Sequence, residues 1–143
     1  METQDLVSLV RFGPDELAPC IVQDWTSGEV LTLAFTNAAA LKLTLESGET
    51  WLWSRRRAEL WHKGETSGNV QRVLAVRLDC DRDAVLLQVE PAGPACHMGA
   101  VSCFRDEASG GASRPRGGRL APFLVPAELG AVIASRAAER PEG

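Results

Sequence analysis

The chain has 143 residues, of which 45% are hydrophobic and 24% are charged. This size and balance are typical of one globular domain of a soluble protein. The formal net charge of −4 argues against binding nucleic acid through a basic surface. No apolar run approaches the roughly 20 residues that cross a bilayer, so we expect no membrane association. The acidic N-terminus has no apolar signal segment, so we expect a cytoplasmic protein.

The first elements in the chain are two strands and a helix. Residues 17–35 predict a β-hairpin, because two β-rich runs flank turn-forming residues at 26–29. A short helix is predicted over residues 38–46, since Asn37 is a good N-cap and Gly48 follows its last turn.

Three more strands and one loop follow. The loop is predicted over residues 61–69, which are polar and include two glycines. The strands are predicted over residues 50–54, 70–78 and 84–89. The short strands and few helices indicate an α+β fold built mainly from antiparallel strands.

The composition changes after Phe104. We expect a single domain over residues 1–104 and a flexible linker rich in Gly, Ser, Arg and Pro over residues 105–119. Residues 120–143 are expected to form a tail with a short helix. The segment after Phe104 is too short for a second packed domain, so we expect a stand-alone domain and not a fusion of two domains.

Three of the four cysteines are clustered in sequence. Cys80, Cys96 and Cys103 lie close together, whereas Cys20 stands alone. Three thiolates with one open position are the ligand pattern of catalytic zinc, and three buried reduced thiols are the alternative. His97 directly follows Cys96, where a neutral imidazole could act as a general base.

An acidic triplet alternates along the chain around Cys80. On an extended backbone Asp79, Asp81 and Asp83 would share one face and Cys80 would point to the other. Oxygen ligands of this kind suit Mg²⁺. The alternative is a solvated acidic turn at the tip of a hairpin.

Two further segments have the chemistry to bind anions. Residues 63–68, Lys-Gly-Glu-Thr-Ser-Gly, combine a cation, two hydroxyls and flexible glycine backbone, a combination that binds phosphate in other loops. Arg55 and Arg57 could clamp a second anion. The alternatives are an ordinary polar turn and a solvated strand end.

These motifs together resemble a known family. DCDxD at residues 79–83, CHxG at 96–99 and SCF at 102–104 are similar to the three signatures of the phosphoribosyl-AMP cyclohydrolases. WSR at residues 53–55 and LWxKGETSGN at 60–69 fit the same family. The resemblance implies hydrolysis of the N1–C6 bond of the adenine ring in phosphoribosyl-AMP, a step of histidine biosynthesis. It also implies a pseudo-barrel fold and an intertwined homodimer.

The resemblance further implies the roles of individual residues. One zinc ion per subunit would be held by Cys80, Cys96 and Cys103, with Cys80 supplied by the partner subunit. Magnesium would be held by the three aspartates, and His97 would be the catalytic base. The substrate-binding residues would be Arg55, Lys63, Glu65, Thr66 and Ser67. Two alternatives remain open: a paralogue that hydrolyses a different purine or amidine nucleotide, and a non-catalytic metal-binding protein.

Overall fold

A computed structural model describes residues 2–93, 95–96, 99, 101–104, 106 and 108. Three predictions therefore concern residues outside the described part. They are the general base His97, the linker over 105–119 apart from residues 106 and 108, and the tail over 120–143.

The described chain contains two helices and six strands. In chain order they are α1 (Thr3–Leu9), β1 (Ala18–Asp24), β2 (Val30–Thr36), α2 (Ala38–Ser47), β3 (Trp51–Ser54), β4 (Glu59–His62), β5 (Gln71–Leu78) and β6 (Val85–Pro91). The predicted hairpin is confirmed as β1 and β2. The predicted helix is confirmed as α2: Asn37 Oδ1 accepts a hydrogen bond of 2.8 Å from the Ala40 N–H, and Gly48 ends the helix at φ 75°.

Two elements were not predicted from the sequence. α1 has only seven residues, and its Val7 side chain is buried in the core, so tertiary packing stabilises it. β4 includes Trp61 and His62, which the sequence assigned to the following loop. Pairing with β3 extends these residues, with Trp51 opposite His62. Within the described residues, neither helix has the length and apolar character needed to span a membrane.

The strands form one curled sheet in the order β4-β3-β2-β1-β6-β5, a half-barrel that confirms the predicted α+β class. All neighbouring pairs are antiparallel except β1 and β6, which run parallel. Glu49, just before β3, forms an isolated bridge with Arg72 on β5. This bridge brings the edge strand β5 close to the segment before β3, near the opposite edge of the sheet.

The two faces of the sheet differ in what covers them. One face packs against the helices and forms the core, which includes the fully buried Val22, Leu31, Leu52 and Leu87. The other face exposes large apolar side chains, among them Leu33, which is 52% exposed and lies opposite Ile21 across β1 and β2. Removing such a contiguous apolar surface from water would stabilise an association.

Candidate active site

The candidate residues lie at the two ends of β6. Strand β6 begins at Val85, after the hairpin turn that carries the acidic triplet and Cys80. It ends at Pro91, before the segment that carries Cys96 and Cys103. Seven strand residues span roughly 20 Å, so these two regions are well separated within one chain.

A cavity of about 350 Å³ lies at the Cys96 end. This is within the usual range for small-molecule sites, which is roughly 300–1,000 Å³. The β4 strand and the loop that follows it form most of the wall, and Cys96 and Gly99 complete it. The lining residues are Arg57, Glu59, Leu60, Trp61, His62, Lys63, Gly64, Glu65, Thr66, Ser67, Asn69, Cys96 and Gly99.

The loop after β4 is tightly folded, as the sequence predicted for an ordered polar loop. Gly64 has φ 89°, and a Cβ atom there would lie 2.3 Å from the backbone nitrogen of Val70. Only glycine fits at that position. Glu65, Thr66 and Ser67 are exposed and line the cavity, so their side chains are available to a ligand.

Lys63 differs from the other predicted substrate-binding residues because it is buried. Its side chain is only 9% exposed, and its ammonium group donates a hydrogen bond to the carbonyl oxygen of Ala95. The predicted anion-binding arginines also differ from each other. Arg57 lines the cavity, whereas the guanidinium of Arg55 lies 3.7 Å from the centre of the Phe35 ring and is not part of the wall.

The segments that carry Cys96 and Cys103 are both anchored to the rest of the fold. The Ala95 N–H donates to the Val101 carbonyl at 3.1 Å, and the Cys103 N–H donates to the Leu31 carbonyl at 2.7 Å. Ser102 is 5% exposed, and its hydroxyl donates to the Val30 carbonyl at 2.6 Å. Apart from its position next to Cys103, no sequence signal indicated this anchoring role for Ser102.

The acidic triplet is brought together by a turn, so the predicted extended geometry is wrong. Asp79 Oδ1 accepts hydrogen bonds from the backbone N–H groups of Asp83 and Ala84, and Arg82 adopts φ 64°. These bonds close the chain around Asp79. The carboxylate oxygens of Asp79, Asp81 and Asp83 lie within 4.8 Å of one another, a spacing that could hold a cation.

Crowding of the three carboxyl groups changes their proton affinities in opposite directions. Hydrogen bonding to Asp81 and then to Asp79, with further help from desolvation and like charge, raises the pKa of Asp83 to about 6. Desolvation works against ionisation of Asp79, but the hydrogen bonds from Asp83, Ala84 and Asp81 outweigh it and lower the pKa of Asp79. The turn therefore holds one proton more tightly than isolated carboxyl groups would.

The three clustered cysteines do not meet within one chain. Cys80 is exposed at the hairpin tip, Cys96 is buried beside the cavity, and Cys103 is exposed. Among the described residues, the only group of three candidate metal ligands is the aspartate triplet. Thiolates bound to one zinc ion each lie about 2.3 Å from the metal. Because the length of β6 separates Cys80 from Cys96, these two thiols of one chain cannot bind the same zinc ion.

A polar pair that joins His62 of the cavity wall to Glu49 was not predicted. His62 Nε2 lies 2.7 Å from Glu49 Oε1, and the His62 ring stacks on Trp51 with 4.6 Å between the ring centres. The alternation of Trp51, Leu52 and Trp53 was a signal that these tryptophans share a face. Pairing across β3 and β4 then decides that His62 is the residue stacked on Trp51.

Comparison with known proteins decides the family. The family profile described as phosphoribosyl-AMP cyclohydrolase matches residues 32–105. The chain belongs to this family. The matched span includes the cavity loop, the acidic hairpin, Cys96 and Cys103, so the resemblance inferred from the motifs is confirmed.

Individual relatives support the same family. The phosphoribosyl-AMP cyclohydrolase of Clostridium botulinum is 50% identical over 105 residues, which are 73% of this chain and 96% of the relative. The phosphoribosyl-AMP cyclohydrolase of Pelotomaculum thermopropionicum is 57% identical over 100 residues, which are 70% of this chain and 77% of the relative.

Bifunctional relatives are longer. The histidine biosynthesis bifunctional protein HisIE of Bacillus subtilis is 53% identical over 134 residues, which are 94% of this chain and 61% of the relative. The chain therefore spans less than two thirds of this cyclohydrolase-family relative.

Proposed function

We propose that the chain hydrolyses the N1–C6 bond of the adenine ring in phosphoribosyl-AMP, as a step of histidine biosynthesis. The observation that supports this most strongly is the cavity within the family-matched span, where a buried cysteine faces a loop of hydroxyl and carboxylate side chains. A nucleotide ring would bind against Cys96, and its phosphates would reach the exposed Thr66 and Ser67.

The reaction is an addition followed by cleavage of a ring bond. The ribosyl group on N1 makes the ring an electron-poor amidinium, so C6 accepts the oxygen of a water molecule. The N1–C6 bond then breaks, C6 becomes a carboxamide and N1 remains in a formimino group. We assign His97 the role of taking the proton from the attacking water and returning it to the departing nitrogen.

The donor atoms fit the two metals that the family resemblance implies. Thiolates suit zinc and carboxylates suit magnesium, so the cysteines and the aspartate triplet divide between the two ions. Zinc, when bound, would supply the Lewis acidity that ionises water near neutral pH. The aspartates would hold magnesium for the substrate phosphates, and the guanidinium of Arg57 on the cavity wall would bind a phosphate directly.

A homodimer would complete the zinc site. Cys80 of one subunit would meet Cys96 and Cys103 of its partner, which the separation along β6 forbids within one chain. The exposed apolar face of the sheet supports this arrangement, because Ile21, Leu33 and Leu60 are partly exposed within the described chain.

The proposal is tested by incubating the protein with phosphoribosyl-AMP and following ring opening by absorbance. AMP, which lacks the N1 ribosyl group, is the matched control and should not react. Metal analysis should give one zinc per subunit, and Cys96→Ser should lose both zinc and turnover. Hydrolysis of another amidine nucleotide in preference to phosphoribosyl-AMP would indicate a paralogue. Zinc binding without any turnover would indicate a non-catalytic metal protein.

A further inference from the structure

Lys63 is a buried cation in the wall of the cavity. It follows the last residue of β4, and its backbone N–H donates to the Thr50 carbonyl at 3.0 Å. Its side chain is 9% exposed, whereas Lys42, the other lysine of the chain, is exposed on α2. Burying an ammonium group is costly unless it has partners, so the partners of Lys63 indicate why it is there.

Those partners are a backbone carbonyl and an aromatic ring. The ammonium group donates to the carbonyl oxygen of Ala95 and lies 5.2 Å from the centre of the Trp61 ring. No ion pair among the described residues includes Lys63. A hydrogen bond from a charged donor is roughly twice as strong as one between neutral groups. The Lys63 charge is therefore directed at the residue that immediately precedes Cys96.

The same two loops are joined at other points. The Ala92 N–H donates to the Val70 carbonyl at 2.9 Å. Gly93 lies so close to the Asn69 side chain that a Cβ atom there would be 2.3 Å from Asn69 Oδ1. These contacts fix the beginning of the segment after β6. Near its other end, next to the thiol, the Ala95 N–H bonds to the Val101 carbonyl, and Lys63 is the side chain that holds the Ala95 carbonyl.

We propose that Lys63 is a positioning residue that holds the Cys96 thiol in place through the Ala95 carbonyl, and is not a ligand for the substrate phosphates. The inference rests on the proposed function only in assigning Cys96 to a metal site. Groups that orient a metal ligand in this way typically change metal affinity about 10- to 100-fold when removed.

The test compares Lys63→Met, which keeps the side-chain length but removes the donor, with Lys63→Arg, which keeps a charged donor. Lys42→Met is the matched control. The full-length proteins are treated with iodoacetamide, and labelling of each cysteine is followed by mass spectrometry of its peptide. Zinc affinity is measured in parallel by competition with a chromogenic chelator, in the absence of substrate.

We expect Lys63→Met to label Cys96 at least about tenfold faster, because protection of a buried group follows the free energy of local opening. Cys20, buried elsewhere in the core, should label as slowly as in the wild type. Zinc affinity should fall about 10- to 100-fold. Lys63→Arg should restore most of both properties, and Lys42→Met should change neither.

Two results would overturn the assignment. Unchanged Cys96 labelling and zinc affinity in Lys63→Met, with a raised KM, would make Lys63 a substrate ligand. Equally faster labelling of Cys20 would show that Lys63 stabilises the whole fold and has no specific role at Cys96. A wild-type protein with neither zinc nor ring-opening activity would defeat the proposed function instead, while the labelling of Cys96 would still decide the role of Lys63.

Discussion

The two ends of β6 differ in how their functional groups are held. At the end near Pro91, hydrogen bonds with other elements hold the cysteine segments: Lys63 donates to the Ala95 carbonyl, and Ser102 donates to the Val30 carbonyl. At the other end, the acidic turn is closed mainly by its own bonds to Asp79, with one backbone bond of 2.7 Å between Arg11 and Arg82 linking it to the N-terminal segment.

This difference shows which half of the site one chain prepares by itself. At the Cys96 end the Cys96 side chain is buried beside a cavity, and hydrogen bonds to neighbouring elements hold its segment. The hairpin end presents exposed carboxyl groups and the exposed Cys80, which are accessible to a cation or to a second chain. The proposed zinc site, composed of both ends, would therefore draw on two copies of the chain.

The largest expected effect comes from substituting one cysteine at each end of β6 in two separate variants. Cys80→Ser and Cys96→Ser should each abolish turnover, because each removes one ligand from every zinc site. In a mixture of the two variants, half of the dimers should be mixed, and each mixed dimer has one intact site. About one quarter of wild-type activity should return in the ring-opening assay after subunit exchange. Verified exchange without any recovery would show that the two ends do not share a site.

The next largest effect is expected for His97, the proposed general base. His97→Ala should keep zinc but reduce turnover about 10²- to 10⁴-fold, since a positioned general base contributes roughly that factor. His62→Ala is the matched control: His62 pairs with Glu49 and stacks on Trp51, so it should cost much less turnover. Steady-state kinetics of the two variants test this prediction. An inactive His62→Ala variant together with an active His97→Ala variant would show that His97 is not the general base.

The hairpin end should bind magnesium in a pH-dependent way. Asp83 must lose its proton to bind a cation, and its pKa is raised from 3.8 to about 6. Magnesium affinity, measured by calorimetry, should therefore fall up to about tenfold per pH unit below that value. Asp83→Asn should bind more weakly and lose this dependence. Equal affinity across the whole range would show that Asp83 is not a ligand.

The same shift makes one contribution to how the stability of the free hairpin depends on pH, and the lowered pKa of Asp79 makes a contribution of the opposite sign. A raised pKa means that the folded state holds the Asp83 proton more tightly than the unfolded state does. This contribution to stability is complete below pH 3.8 and is lost as the pH rises through about 6. Added magnesium should reverse the loss, which thermal melting at several pH values can measure.

A smaller effect is expected from the Ser102 anchor. Ser102→Ala leaves the Val30 carbonyl without its side-chain donor and should cost about 1 kcal/mol of unfolding free energy. Zinc affinity should fall about tenfold because the Cys103 segment loosens. Ser8→Ala, which removes an exposed hydroxyl on α1, is the control. If Ser102→Ala binds zinc like the wild type, the Leu31 bond to Cys103 is a sufficient anchor.

The smallest effect on activity is expected at Cys20. Burial raises the pKa of this thiol to about 12, so it stays protonated and cannot act as a thiolate ligand. Cys20→Ala should leave zinc content and turnover unchanged while lowering the unfolding free energy by about 1 kcal/mol through lost packing. Loss of zinc from this variant in its folded state would place Cys20 in the metal site.

Local signals in the sequence were sufficient for much of the fold and for the family. The hairpin of β1 and β2 and the helix α2 follow from turn residues, Asn37 and Gly48, because those residues act within a few positions of themselves. The motifs around Cys80, Cys96 and Cys103 were sufficient to indicate the family, since their order and spacing are properties of the chain alone.

The tertiary structure decided what depends on distant neighbours. β4 became a strand because β3 lies beside it, and the acidic triplet closed into a turn because Asp79 accepts two backbone N–H groups. Cys80 and Cys96 are close in sequence, but β6 runs between them, so they lie beyond opposite ends of that strand. Lys63 appeared to be one cation of a phosphate loop, and only the packing of that loop against Ala95 shows where its charge is used.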